Sequence, residues 1–182
     1  MAGSLIKIDE EIVTSAVASV TLTGIDSTYD VYKVVLSNIT SATDYSTGTN
    51  LYQARFTESG TPNSTANYDS ASKVLISNTT FANGNATNQT QIYPSTQGVG
   101  TSTGEALNVI FYIFNANNSS EYTFYTIEET VLSYLGNLAG QQGGGVFTVT
   151  SAVDGIQFFN GTAGASTENF AGGTFTLYGL AK

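Results

Sequence analysis

Thr174-Phe175-Thr176-Leu177-Tyr178 alternates polar and apolar residues with period two. Successive side chains of an extended chain point to opposite faces, so Phe175 and Leu177 share one face while Thr174, Thr176 and Tyr178 share the other. That is the signature of a β-strand with one buried face. The same signature recurs upstream. Ser19-Val20-Thr21-Leu22-Thr23 alternates, Val31 to Ser37 places Tyr32, Val34 and Leu36 together, and Leu51 to Thr57 places Tyr52, Ala54 and Phe56 together. Further strands are expected at Leu5–Ile8, Lys73–Ser77, Gln89–Tyr93, Thr123–Ile127, Val131–Leu135, Val146–Thr150 and Ile156–Phe159. The run Val109-Ile110-Phe111-Tyr112-Ile113-Phe114 does not alternate, and reads as a central strand buried on both faces.

Between these segments lie Gly60-Thr61-Pro62-Asn63, Asn83-Gly84, Asn117-Asn118, Gly143-Gly144-Gly145 and Asp154-Gly155, all turn or loop chemistry. Asp154-Gly155 is read as a hairpin turn, and Gly136 to Gly145 as a flexible connection. The expected fold is therefore all-β: one two-sheet sandwich of about ten strands over residues 1–182, jelly-roll-like in its winding. Residues 1–8 are expected to serve as an edge strand or a docking arm. No linker, charge block or internal repeat marks a second domain.

Composition closes most routes to chemistry. The 182 residues contain no Cys, no His and no Trp. Without them there is no disulfide, thiolate ligand, imidazole base or Ser-His-Asp triad. A carboxylate pair could still act on glycosides. The acidic clusters are Asp9-Glu10-Glu11 and Glu128-Glu129, and neighbours on a strand diverge to opposite faces, so both are expected on a solvated edge or loop. Neither has the spacing of a calcium loop. The glycine-rich stretch at 136–145 lacks the Gly-Lys-Ser/Thr ending of a phosphate loop. No catalytic, metal or cofactor residues are expected.

The formal charge is −9, from five Lys and Arg against fourteen Asp and Glu. Such a surface repels a phosphate backbone, so nucleic acid is not an expected partner. The longest apolar run, Val109 to Phe114, falls well short of the roughly 20 residues that span a bilayer as a helix, so no membrane insertion is expected. Met1 to Lys7 does not read as a signal peptide. Eight Asn-x-Ser/Thr sites occur, at Asn38, Asn63, Asn78, Asn85, Asn88, Asn117, Asn118 and Asn160. A chain this rich in Asn, Ser and Thr makes them by composition, so glycosylation is not expected. The eleven Tyr and ten Phe suit a sandwich core, but neighbours such as Tyr122, Phe124 and Tyr125 cannot all point inward. Outward tyrosine fits a subunit interface or a saccharide surface.

The chain ends in Ile156-Gln157-Phe158-Phe159, a polar loop, and Phe170-Ala171-Gly172-Gly173-Thr174-Phe175-Thr176-Leu177-Tyr178-Gly179-Leu180. This resembles the ending of a widespread group of tailed-bacteriophage proteins, whose last strands read I-x-F, a loop, then G-x-F-x-L-Y-G. Leu51-Tyr52-Gln53-Ala54-Arg55-Phe56, followed by a polar loop and Tyr68-Asp69, is similar to a second segment of that group. The opening strand near Val20 and Leu22, with Tyr29 and Tyr32 after it, is similar to a third. The group often has Asn or Asp after its Arg-Phe, where this chain has Thr57-Glu58. The resemblance implies a virion-associated β-sandwich, tail-fibre-like or decoration-like, on the surface of a particle assembled in the host cytoplasm. It implies no catalytic residues.

Two functions from different classes follow as expectations. One is a structural protein that packs against other virion proteins and forms a homo-oligomer, with a trimer favoured. Its interface would use Leu5, Ile6 and Ile8 of the amino-terminal arm, by strand addition to a neighbour, together with Tyr122 and Tyr125. The other is a receptor module that binds a host-surface glycan through tyrosine and asparagine at loop tips.

Overall fold

A computed structural model describes residues 4–45, 51–162 and 167–181. Residues 1–3 of the expected arm lie outside them. Among the described residues there are twelve strands and no helix: β1 (Leu5–Val13), β2 (Ser19–Thr23), β3 (Val31–Ser41), β4 (Leu51–Glu58), β5 (Thr61–Pro62), β6 (Tyr68–Ile76), β7 (Ala82–Gln89), β8 (Leu107–Phe114), β9 (Thr123–Leu132), β10 (Leu138–Phe147), β11 (Gly155–Gly161) and β12 (Phe170–Leu180). One sheet has eight strands in the order β1-β12-β3-β8-β9-β10-β6-β7, the other four in the order β2-β11-β4-β5. Every ladder is antiparallel.

The two sheets face each other across an aromatic core. Phe111 of β8 and Phe175 of β12 meet Phe158 of β11 at ring separations of 5.9 and 5.6 Å. Tyr52 of β4 stacks on Phe170 of β12 at 5.6 Å. Tyr32, Val34, Phe111, Ile113, Phe175 and Leu177 are all enclosed, as their alternating positions require. Tyrosine hydroxyls in such a core need partners. Tyr68 finds two, accepting from Phe56 N–H at 3.1 Å and donating to the Asn63 carbonyl at 3.0 Å.

The ladders are nested. β1 pairs β12, β2 pairs β11, β3 pairs β8, and at the centre Ala54 of β4 exchanges two hydrogen bonds with Ile92, at 2.9 and 2.8 Å. Successive pairs alternate between the sheets. Two inserted hairpins, β6–β7 and β9–β10, lie side by side and extend the larger sheet beyond β8.

Several local expectations need correction. Thr123–Ile127 and Val131–Leu135 are not two strands. β9 runs unbroken from Thr123 to Leu132, because the acids keep the alternation: Thr123, Tyr125, Ile127, Glu129 and Val131 face in. Gly136–Gly145 is not a loop throughout, since residues 138–147 form β10, an interior strand of the larger sheet. At Gly143 a Cβ would overlap the carbonyl of Ala71 on β6, so the close ladder itself requires glycine. Val109–Phe114 is buried on one face only, with Ile110, Tyr112 and Phe114 half-exposed on the other. Gln89 ends β7, and the rest of the Gln89–Tyr93 segment contributes a single bridge through Ile92. Asp154-Gly155 is not a hairpin turn, because β10 and β11 belong to different sheets. The Asp154 carboxylate instead accepts from Thr57 Oγ1 at 2.6 Å and Gly60 N–H at 2.7 Å, fixing the crossover.

Candidate docking surface

The expected interface residues do not all come together. Leu5 and Ile6 are exposed on β1, the edge strand of the larger sheet. Ile8 sits at a register shift and packs partly against the core. Tyr122 is exposed beside the start of β9. Tyr125 is a correction: at 2% exposure it is a core residue and cannot meet a partner. The phase of β9, set by Ile127 and Val131, turns Tyr125 inward and Phe124 outward. Burial raises the Tyr125 hydroxyl well above its usual range, and it has no hydrogen-bond partner.

The outward face of the larger sheet carries the site that residue-by-residue reading missed. Register pairs Leu5 with Leu180, Val31 with Phe114, Phe114 with Phe124, and Phe124 with Val146. Their sequence neighbours Tyr32, Ile113, Tyr125 and Phe147 are enclosed on the inner face, so this set points outward. Continuing the Gly179–Tyr32 register by one residue brings Leu180 beside Val31, and the result is one apolar rung from β1 to β10. Five interstrand steps give it a span of about 24 Å. Phe124 is 47% exposed, Leu5 46% and Leu180 37%, values that leave much apolar area to cover. The signal in the sequence was Phe124 itself, an aromatic in phase with the polar residues Thr126, Glu128 and Thr130.

Next to the apolar rung runs a second, in which register aligns Lys7, Tyr178, Lys33, Tyr112 and Thr126. The Lys33 ammonium lies 5.6 Å from the Tyr112 ring centre, a cation–π contact that holds both chains flat against the sheet. At the opposite end of the same face, Leu75, Phe81 and Leu138 line a groove of about 260 Å³ over Gly140. The face is broad, nearly uncharged along its apolar rung, and suited to covering by another protein.

The acidic clusters do different work. Asp9 accepts from Thr23 N–H at 2.7 Å and ties β1 to β2, while Lys7 pairs with Glu10 at 3.0 Å. Glu128 points outward and accepts from Gln142 Nε2 at 3.2 Å. Glu129 is not the solvated acid expected. It is buried on the inner face, where it accepts from Ser95 Oγ at 2.7 Å and Thr96 N–H at 3.2 Å. Burial outweighs those hydrogen bonds and pushes its carboxyl up to about 7. Glu128 and Glu129 thus stand on opposite faces and do not converge on a substrate. Among the described residues, no group of three His, Cys, Asp or Glu is placed to hold a metal ion.

No family model matches the chain, and no curated protein and no solved structure proved similar to it.

Proposed function

We propose that this chain is a non-enzymatic structural protein of a tailed-phage virion, a decoration or appendage protein that acts by packing. The carrying observation is the outward apolar rung Leu5–Leu180–Val31–Phe114–Phe124–Val146. A contiguous exposed stripe of this kind fits a protein contact better than free solvent. The nested pairing supports the reading further, because it has the winding expected of a jelly roll, an architecture common in viral capsid and lectin domains. Fold alone assigns no function, so the rung carries the argument.

In this reading the larger sheet docks through its outer face on a neighbouring virion protein, and the chain assembles as a homo-oligomer, a trimer first among the states to test. Strand addition at β1 is the lesser contribution. The register shift at Ile8 and the acids Asp9, Glu10 and Glu11 blunt that edge.

Phe124→Lys tests the docking directly. It places a charge on the most exposed aromatic of the rung, at a position whose exposure spares the core. The variant should fold and melt like the parent, yet be missing from purified particles quantified by mass spectrometry, where the parent is expected in hundreds of copies. Normal incorporation of the variant would remove this face as the docking surface. Absence of the parent chain from particles would remove the virion role altogether.

A further inference from the structure

We propose that a polar pocket between the β2–β3 and β8–β9 loops binds a neutral saccharide. The pocket encloses about 350 Å³ and is lined by Asp26, Tyr29, Asp30, Asn115, Asn117 and Asn118, with small hydroxyl residues beside them. That volume falls within the roughly 300–1,000 Å³ of small-molecule sites. This inference stands apart from the docking role and needs no particle.

Both walls are held from the core, so the pocket is formed before any ligand arrives. Tyr32, fully enclosed on β3, donates its hydroxyl to the Asp26 carbonyl at 2.6 Å and accepts from Asp26 N–H at 2.9 Å. Asp26 Oδ1 accepts from Thr28 N–H at 2.8 Å, which keeps the carboxyl below its usual range and ionised. Across the pocket, Val153 N–H donates to the Ala116 carbonyl at 2.7 Å, and Asn117 Nδ2 donates to the Val153 carbonyl at 3.2 Å. Asn118 Oδ1 accepts from Ser120 N–H at 2.9 Å. These bonds aim the loops while leaving the amide oxygen of Asn117 and the amide nitrogen of Asn118 uncommitted among the described residues. One open acceptor and one open donor, on consecutive residues of the pocket wall, can serve the hydroxyls of a sugar.

The aromatic wall is set by the carboxy-terminal motif. The Tyr29 ring lies edge-on to Tyr32 at 5.8 Å and rests on Gly179, where any Cβ would overlap it. Gly179 closes the Gly-x-Phe-x-Leu-Tyr-Gly strand, so the glycine is there to seat this ring. An aromatic ring beside amides and carboxylates offers a sugar both its C–H contact and its hydrogen bonds. Electrostatics select the class of sugar. The ionised Asp26 carboxylate lines the pocket and, among the described residues, no Lys or Arg does, so sialic acids, uronic acids and phosphorylated sugars are disfavoured.

The test is titration of the purified chain with glucose, galactose and N-acetylglucosamine, followed by saturation-transfer NMR and calorimetry. Sialyllactose and calcium chloride form separate arms, and immobilised neutral oligosaccharides separate a surface glycan from a free sugar. Binding of a neutral sugar is expected, weakened about tenfold by Asn118→Ala, the effect of one lost hydrogen bond to a ligand. Tyr29→Ala should weaken it further, and Lys73→Ala, remote on β6, should leave it unchanged. Melting curves identify any variant that fails to fold, in which case Asn118→Ser replaces it. The proposal falls if no neutral sugar binds, if sialyllactose binds better, if calcium alone binds, or if folded Asn118 and Tyr29 variants bind as the parent does.

Discussion

The β1, β12, β3 and β8 ladders and the β9-β10-β6-β7 extension share the larger sheet but are built from different residues. Where the smaller sheet lies opposite, inward positions hold Tyr32, Leu36, Phe111, Ile113, Phe175 and Leu177. The extension keeps this character along β9, where Tyr125, Ile127 and Val131 are buried, and near Phe56 of β4, against which Tyr68 and Phe147 pack at 6.2 and 5.8 Å. Beyond that point inward positions on β10 and β6 hold Gly143, Gly145, Ser70 and Ser72. Large side chains fill space between layers, while small ones suffice where the hydrogen-bonded ladder is the main support. The two regions should therefore fail differently when perturbed.

The largest effect is expected in the nested ladders. Phe175 is fully enclosed and meets the rings of Phe158 and Phe170 at 5.6 and 5.1 Å. Phe175→Ala should cost about 3–5 kcal/mol, by lost transfer energy and the cavity left behind. Denaturant melting measures it, and that loss is a large share of a typical stability of roughly 5–15 kcal/mol. A cost no greater than that of a surface substitution would mean the two regions do not differ as described.

Glu129 comes next and sharpens the comparison, because it sits where the extension meets its covering loop. Its folded carboxyl titrates near 7 against an ordinary value of 4.5, so the folded state holds the proton more tightly. The stability this contributes is complete below about pH 4.5 and is lost as pH rises to about 7. Full loss corresponds to about 3 kcal/mol. The parent should melt at lower temperature at pH 8 than at pH 5. Glu129→Gln should flatten that dependence and melt higher than the parent at pH 8. An unchanged pH profile in the variant would assign the dependence to another group.

Gly143→Ala should cost about 1–3 kcal/mol, the usual range for overpacking. Its effect should also be local. Hydrogen exchange is expected to speed up across β6, β7 and β10 while β3 and β12 stay protected. Uniform loss of protection would show the two regions to be one cooperative unit. Thr176→Ser marks the small end of the scale. Thr176 is on the side of β12 away from Phe175 but is only 4% exposed, and serine keeps the hydroxyl that reaches Glu10 at 3.4 Å while losing one covered methyl. The cost, read by denaturant melting, should be about 0.8 kcal/mol, that of one buried methyl group.

The same contrast explains what could be read from the residues alone. β2, β3, β4 and β12 were legible because a covering layer demands large apolar residues at alternate positions. β10 was not, because Gly-Gly-Gly carries no alternation and looks like a loop until its neighbours are known. β7, Ala-Asn-Gly-Asn-Ala-Thr-Asn-Gln, has no large apolar residue and was hidden for the same reason. The fate of Glu129 depended on the Ser95–Gln97 segment, which is distant in sequence and invisible to local pattern. The apolar rung was partly legible: Leu5 stood out as a candidate, but Phe124 and Tyr125 were separable only once β9 was known to run unbroken through Ile127, Glu129 and Val131.

The nesting of the ladders also sets an order in time. The β4–Ile92 contact closes the shortest stretch of chain, β3·β8 and β2·β11 enclose more, and β1·β12 encloses nearly all of it. Closure entropy favours the inner pairs first, so the outermost ladder forms late and from partners already in place. Leu5 and Leu180, one end of the apolar rung, belong to that last ladder. A partly folded chain therefore lacks the complete rung, and under the proposed docking a partner that needs all of it would accept only chains that have finished folding.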